Sequence, residues 1–215
     1  MPEGAIASGQ TATIYLGITR SKMSKPTLNA KSTLLSEVIF IGPQSLNLIK
    51  PVVLMMDHCI NNIKDWSIKL LSNTTYHSEN WNEEDSNTFI NSTATNLFLM
   101  TENPGRFVFT GEALTPKNIP IAIKQFRLIV FYSTRITDNK FTMRVYCIDN
   151  LLVALQEVLN EEEKIGGYLL NASESFTMSY SNDFLAINLE DLMGHSLNCK
   201  YDVNKQVCHN FNTFS

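Results

Sequence analysis

Positive charge is scarce in this sequence. The 215 residues hold 17 Lys and Arg against 21 Asp and Glu, a formal net charge of −4. Binding along a nucleic-acid backbone needs a basic excess, so that class of function is disfavoured from the start. Charged residues of both signs reach only 18%, below the typical ~25%. Long apolar runs are missing as well. Val52–Met56 and Leu128–Tyr132 are among the longest, far short of the roughly 20 residues that a spanning helix needs. No secretory signal opens the chain. Cysteine is sparse, at Cys59, Cys147, Cys199 and Cys208, which is no disulfide framework of the small secreted kind. Glycine is also scarce. No Gly-x4-Gly-Lys, Gly-x-Gly-x2-Gly or Gly-x-Ser-x-Gly pattern occurs, so phosphate-cradling loops and the hydrolase elbow are absent.

What the chain does have is apolar residues, at 44%, enough for a buried core. Asparagine is abundant. Three Asn-x-Ser/Thr triplets, at Asn73, Asn91 and Asn171, fit chance in such a composition and would matter only in a secreted protein. The whole reads as a soluble, globular protein of a reducing compartment.

Alternation of apolar and polar residues dominates. Ile14, Leu16 and Ile18 share one face of a first strand. Residues 37–41 and 51–56 are short runs rich in Val and Ile, punctuated by Gly42, Pro43 and Pro51. Trp66, Ile68 and Leu70 alternate again. Residues 97–100 and 107–109 flank Asn103-Pro104-Gly105, where a hairpin turn is expected. Residues 72–96 turn polar, which predicts a long loop or a solvent-facing edge strand docked through Trp81 and Phe89. Residues 110–120, with Gly111, Pro116 and Pro120, read as a linker. Beyond it, Phe126, Leu128, Val130 and Tyr132 form one strand face, and Phe141, Met143, Val145 and Cys147 another. One helix stands out. Leu151, Leu155 and Val158 recur at helical spacing with Leu152 and Leu159 beside them. Asp149 or Asn150 is placed to cap its first turn, and Gly166-Gly167 ends it. Strands at 168–170, 176–180 and 184–189 follow. About ten short strands with one helix predict an all-β chain of two β-sandwich domains in tandem, the second carrying the helix. The boundaries fall at residues 1–112 and 117–205, with a tail at 206–215.

Three constellations could carry chemistry. Asp57-His58-Cys59 puts a thiol beside an imidazole, the elements of an activated nucleophile. Neighbours on a strand point to opposite faces, so His58 is badly placed to activate Cys59. His195, Cys199, Cys208 and His209 are ligand types for tetrahedral zinc, but their spacing matches no familiar pattern, and adjacent Cys208 and His209 ligate together only awkwardly. A zinc-stabilised or metal-dependent reading depends on this cluster alone. Glu161, Glu162 and Glu163, with Asp149 and Glu157, offer paired carboxylates, which read as the solvated face of the amphipathic helix. No catalytic, cofactor-binding or metal-binding residue is assigned. Arg144 and Tyr146 fall on the strand face opposite Val145 and Cys147 and are expected at the solvent side or at an interface. Cys147 is expected as a buried thiol and Trp66 as core.

Several segments together resemble a known domain pair. Pro2-Glu3-Gly4-Ala5-Ile6-Ala7-Ser8-Gly9, followed by Ile14-Tyr15-Leu16, resembles the signature of the ZU-five domain. Lys50-Pro51-Val52-Val53-Leu54, then His58-Cys59, then Asp65-Trp66-Ser67-Ile68, is similar to the uncoordinated-5-type netrin receptors. Leu99-Met100-Thr101-Glu102-Asn103 with Gly111 resembles their closing strand. Arg144-Val145-Tyr146-Cys147-Ile148-Asp149, then Ala154-Leu155-Gln156-Glu157-Val158-Leu159 and Gly166-Gly167, resembles the UPA domain that follows in the same receptors. The resemblance runs from residue 1 to about 201 and is weakest over 72–96. It implies a ZU-five domain at 1–112, lacking its first strands, and a UPA domain at 117–205. It also implies a non-enzymatic signalling module without cofactors, on the cytoplasmic side of the plasma membrane within a single-pass receptor. The implied partners are a death domain in cis and a netrin co-receptor tail, and the implied roles are axon guidance and receptor-dependent cell death. The alternative is a scaffold of the ankyrin or PIDD lineage, with cytoskeletal or death-domain partners. PIDD-type relatives cut themselves at a His-Phe-Ser step. The matching position here holds Asn103-Pro104-Gly105, where no nucleophile is available, so self-cleavage is not expected.

Overall fold

The computed structural model describes residues 1–19, 25–75, 80–85, 89–114, 122–137, 140–179, 184–190, 196–202 and 209–212. Of these, the backbone alone is described at 89–91, 134–137, 140–142 and from 184 onward. The chain divides into two compact units, Met1–Leu114 and Thr115–Ser215. Each is built of antiparallel strands.

The first unit contains β1 (Tyr15–Thr19), β2 (Ser32–Leu34), β3 (Val38–Gly42), β4 (Val52–Asp57), β5 (Trp66–Asn73), β6 (Asn82–Glu83), β7 (Phe89–Ser92), β8 (Asn96–Thr101) and β9 (Gly105–Ala113). A six-stranded sheet runs β1-β3-β9-β5-β6, with β2 also pairing β9. A three-stranded sheet runs β4-β8-β7. The alternation seen in the sequence becomes burial on one face. Val52, Leu54 and Met56 of β4 are buried while Val53, Met55 and Asp57 are exposed. Leu97 and Leu99 of β8 are fully buried. Strand β9 is buried on both faces, with Phe107, Val108 and Phe109 almost inaccessible. A continuous apolar run of this kind marks a strand at the centre of a sheet. It pairs β5 over eight residues, from Trp66 opposite Ala113 to Asn73 opposite Arg106.

Two local expectations resolve differently. The Asn103-Pro104-Gly105 turn does not close a hairpin. β8 pairs β4 and β7, while β9 belongs to the other sheet, so the turn carries the chain from one sheet to the next. Reversal chemistry is the same in both cases, and only the partners differ. A Cβ at Gly105 would come 3.0 Å from the Asn73 carbonyl oxygen, so the close backbone approach favours glycine there. The polar stretch over 72–96 supplies two short strands, β6 on the edge beside β5 and β7 beside β8. Trp81 docks against the Arg106 guanidinium, 5.4 Å from ring centre to Cζ. Phe89 opens β7, and its side chain lies outside the described residues.

The second unit contains β10 (Ile123–Thr137), β11 (Lys140–Asp149), α1 (Leu152–Lys164), β12 (Gly167–Ala172), β13 (Phe176–Ser179), β14 (Phe184–Glu190), β15 (Ser196–Asp202) and β16 (His209–Asn212). A five-stranded sheet runs β12-β10-β11-β16, with β13 also pairing β10. β14 and β15 form a separate ribbon. Leu128 pairs Cys147, Val130 pairs Val145 and Tyr132 pairs Met143. The two predicted strand faces are therefore one face of the β10–β11 hairpin. Phe126, Cys147 and Met178 form a core there, with Leu128 and Phe176 packed against it. The opposite face carries buried Ile129 and Phe131, and α1 lies against β11 and β12.

The helix ends as expected, with Gly166 at φ +73° in the left-handed region that favours glycine. It does not begin as expected. Leu151 is the N-cap residue, and no side chain caps the first turn. Asp149 is instead 2.8 Å from Lys124 Nζ, and Asn150 Nδ2 donates to Gln125 Oε1 at 3.2 Å.

Candidate functional site: buried motif clusters and exposed apolar surfaces

The motifs singled out in the sequence converge in space, and most of them are consumed by the fold. At the N-terminus, Gly4 takes φ +73° and lets the chain turn so that Ala5 is buried. Lys50 Nζ donates to the Glu3 carbonyl at 2.7 Å, and the Ile49 amide donates to the Ala5 carbonyl at 3.0 Å. The Pro2–Ala5 and Lys50-Pro51 segments are thus two halves of one staple.

A second cluster surrounds Leu35. The Cys59 amide donates to the Leu35 carbonyl at 3.1 Å, and Cys59 Sγ donates to the same oxygen at 3.4 Å. His58 is held on both nitrogens. Its Nδ1 accepts from the Ile60 amide at 3.4 Å, and its Nε2 lies 3.1 Å from the Thr93 carbonyl. These contacts suit the Nε2–H tautomer. They leave the imidazole no nitrogen for the Cys59 thiol, so the pair has the geometry of core packing. Gly111 shows why its motif carries glycine. A Cβ there would stand 2.7 Å from Leu35 Cδ1 and 3.1 Å from Trp66 Cε3. Trp66 is buried, as expected.

The third cluster lies in the second unit and overturns two sequence readings. Glu162 is not on a solvated helix face. It is fully buried and is the one buried residue of α1. Arg144 Nε donates to its Oε1 at 2.6 Å, and Arg144 Nη2 to its Oε2 at 2.6 Å. Tyr146 Oη also donates to Oε1. Arg144 and Tyr146 are therefore not at the solvent side; they reach up beneath the helix. Three consecutive glutamates sweep about 200° around a helix, so one of them must leave the solvated face. Glu162 lies seven residues after Leu155 and four after Val158, in phase with the apolar stripe. That phase was the available signal. Glu161 and Glu163 are exposed and Glu157 is half-buried. Burial pushes the Glu162 carboxyl up. The hydrogen bonds from Arg144 and Tyr146, with the Arg144 charge, outweigh it and hold the group below the usual carboxylate range. The same hydrogen bond to Glu162 raises Arg144. Gly167 completes the cluster: a Cβ on it would fall 1.8 Å from Glu162 Oε2.

On the other face of the sheet, Asp149 pairs with buried Lys124, the two side chains 11% and 3% exposed, and Lys124 Nζ lies over the Phe126 ring at 5.6 Å. No sequence pattern pointed to Lys124. Cys147 is buried, as read, and burial followed by the charge of Asp149 pushes its thiol up to about 12. His195 and Cys208 lie outside the described residues. Cys199 sits on β15 and His209 on β16, with side chains outside the description. Among the described residues no three His, Cys, Asp or Glu side chains gather as metal ligands. Asn73 is buried, its Oδ1 accepting from the Thr75 amide at 2.9 Å.

What remains for a partner is the surface. Leu16 on edge strand β1 is 62% exposed, with Tyr15 and Ile18 beside it. Met55 is 63% exposed. Val53 and Met100, which pair across β4 and β8, are exposed on the same outward face. In the second unit, Leu152 on α1 is 72% exposed, and Ile165, Tyr168, Leu169 and Leu170 are exposed along the helix end and edge strand β12. Scattered apolar residues are ordinary on a surface. Contiguous groups of them are candidates for a contact site. Among the described residues no helix is long and apolar enough to cross a membrane.

Comparison with known families gives two matches in the same order as these units. Residues 1–74 match the ZU5 domain and residues 122–212 match the UPA domain. The second match extends past the boundary read from the sequence and takes in β16, which pairs with β11. Both are interaction domains of signalling proteins. The chain belongs to the family of proteins that carry a ZU5 domain and a UPA domain in tandem.

Proposed function

We propose that this chain is the non-enzymatic cytoplasmic interaction segment of a netrin-receptor-type protein, acting in axon guidance and in death-domain apoptosis signalling. One observation carries the reading. The chemistry-bearing side chains of both motif sets are engaged in folding contacts, while grouped apolar side chains stand at the surface of both units. A module of that kind acts by covering and uncovering surfaces. The partner is a death domain of the same full-length receptor, docked in cis, with release shifting a population from closed to open. A netrin co-receptor tail is a further partner of the second unit. In this reading the segment lies on the inner side of the plasma membrane, anchored by a span elsewhere in the receptor. Domain limits of 1–112 and 117–205 remain part of the proposal.

Titration calorimetry of the chain against the death domain encoded by its own gene tests the reading. Saturable binding at or below high micromolar concentrations supports docking in cis. Absence of heat and of any co-migration at those concentrations overturns it.

A further inference from the structure

The attachment of α1 is unusual. A surface helix normally docks through a buried apolar stripe. Here Leu155, Val158 and Leu159 are only half-buried, Leu152 is exposed, and the one fully buried side chain is a carboxylate. The helix also begins without a side-chain cap. By contrast, the sheet beneath is held by paired strands and by its own core on the other face, where Phe126, Cys147 and Met178 meet. Among the described residues, one bidentate ion pair, reinforced by the Tyr146 hydroxyl, is therefore the one fully buried side-chain tie that α1 makes to β11.

We propose that α1 is a detachable strap. It undocks from β11 and β12 as a unit while the β10–β11 core stays folded, and Glu162 is the catch. Opening turns the Arg144 guanidinium and the Tyr146 hydroxyl from groups half-buried beneath the helix into an accessible cationic and aromatic surface. α1 is the intramolecular occupant of that surface, presenting its own carboxylate. Gly167 sets the catch, because its bare Cα leaves the Glu162 carboxylate room beside Arg144. Regions that open below the global unfolding free energy are those with few buried apolar contacts; α1 fully buries no apolar side chain of its own, whereas β10 below it buries Phe126, Ile129 and Phe131. The proposal concerns the second unit alone and stands whether or not a death domain is the partner.

Native-state hydrogen exchange on the full chain, followed by mass spectrometry across low urea concentrations, tests it. In the wild type, amides of Leu155–Lys164 should exchange faster than those of residues 123–131, with a weaker dependence on urea. Glu162→Gln and Gly167→Ala should each speed α1 exchange by at least about 100-fold, the ratio that loss of a buried ion-pair partner implies, and leave 123–131 within a few-fold. Gly167→Ala keeps every charge, so agreement between the two variants assigns the effect to the catch. If the wild-type helix and β10 exchange on one common urea line, α1 opens only with the whole unit and the proposal fails. The same holds if Glu162→Gln leaves α1 protection unchanged. The wild-type arm decides the matter even if a variant does not fold.

Discussion

Removing the Lys124 charge should cost the second unit more than most single substitutions. Lys124 Nζ lies 2.8 Å from Asp149 Oδ1, with the side chains 3% and 11% exposed. At that separation the gross attraction is about 6 kcal/mol at an effective dielectric of 20. Desolvation of two buried ions offsets most of it, so the pair contributes little net stability. Breaking it is another matter. Lys124→Met strands a carboxylate in a site built for an ion pair, and the expected loss is ~3–5 kcal/mol. For a unit of about 100 residues, a 3 kcal/mol loss lowers the midpoint by roughly 12–24 °C. Asp149→Leu strands the more deeply buried partner, Lys124, and should cost a comparable amount. The double variant, Lys124→Met with Asp149→Leu, should recover to within about 1–2 kcal/mol of wild type, since an apolar pair of similar volume replaces the ions. The assay is the urea dependence of hydrogen exchange at residues 123–131, which reports unfolding of the sheet that holds the pair. Trp66 and Trp81 both lie in the first unit, so tryptophan fluorescence follows that unit in the same samples. A Lys124→Met loss under 1 kcal/mol, or a double variant as unstable as the worse single, would refute the argument that this pair is dry and coupled.

Three further outcomes follow from the same contacts. Glu162 has its carboxyl held low in the folded state, so it contributes stability above the ordinary carboxylate range, and that stability is lost as pH falls through the folded value; acid titration by circular dichroism should show α1 lost first, and in Glu162→Gln this acid step should vanish. Cys147, pushed up to about 12 by burial, should resist iodoacetamide at pH 8 in the folded chain and react only in denaturant, as read by peptide mass. Gly111→Ala places a methyl 2.7 Å from Leu35 Cδ1 and should destabilise the first unit by about 1–3 kcal/mol through overpacking, measured by the urea midpoint of tryptophan fluorescence.

Strand class and helix position were legible because periodicity reports burial directly. Val52, Leu54 and Met56 alternate in the sequence and alternate in burial. Trp66 and Cys147 were readable as core for the same reason, since each is in phase with apolar neighbours. Partnering was not legible. Nothing local distinguishes a turn that closes a hairpin from one that changes sheets, and Asn103-Pro104-Gly105 is of the second kind. Buried charge was the larger gap. Charged residues are ordinarily assigned to solvent, and that rule hides Lys124, Asp149 and Glu162, each rescued by a counter-ion brought close by the fold. The cap failed for a linked reason: Asp149 has the right side chain for a helix start, but Lys124 across the sheet competes for it. Glu162 could have been found from its phase with Leu155 and Val158, and Arg144 and Tyr146 from their shared face two residues apart. The resemblance carried the order of domains, and the structure supplies its physical content, because each quoted motif meets another: Gly4 with Lys50, Cys59 and Trp66 about Leu35, Arg144 with Gly167.

The central claim is that this chain works through its exposed apolar surfaces, its motif residues being engaged in the fold. The most direct measurement is a solution footprint of the chain with and without the proposed death-domain partner, by methyl NMR of the methionines, leucines and valines. The account predicts that signals from exposed groups such as Val53, Met55, Met100, Leu152 or Leu170 shift or broaden on addition, with those of buried Leu97, Leu99 and Met178 unchanged. Perturbation confined to buried groups, or none at saturating partner, would contradict it.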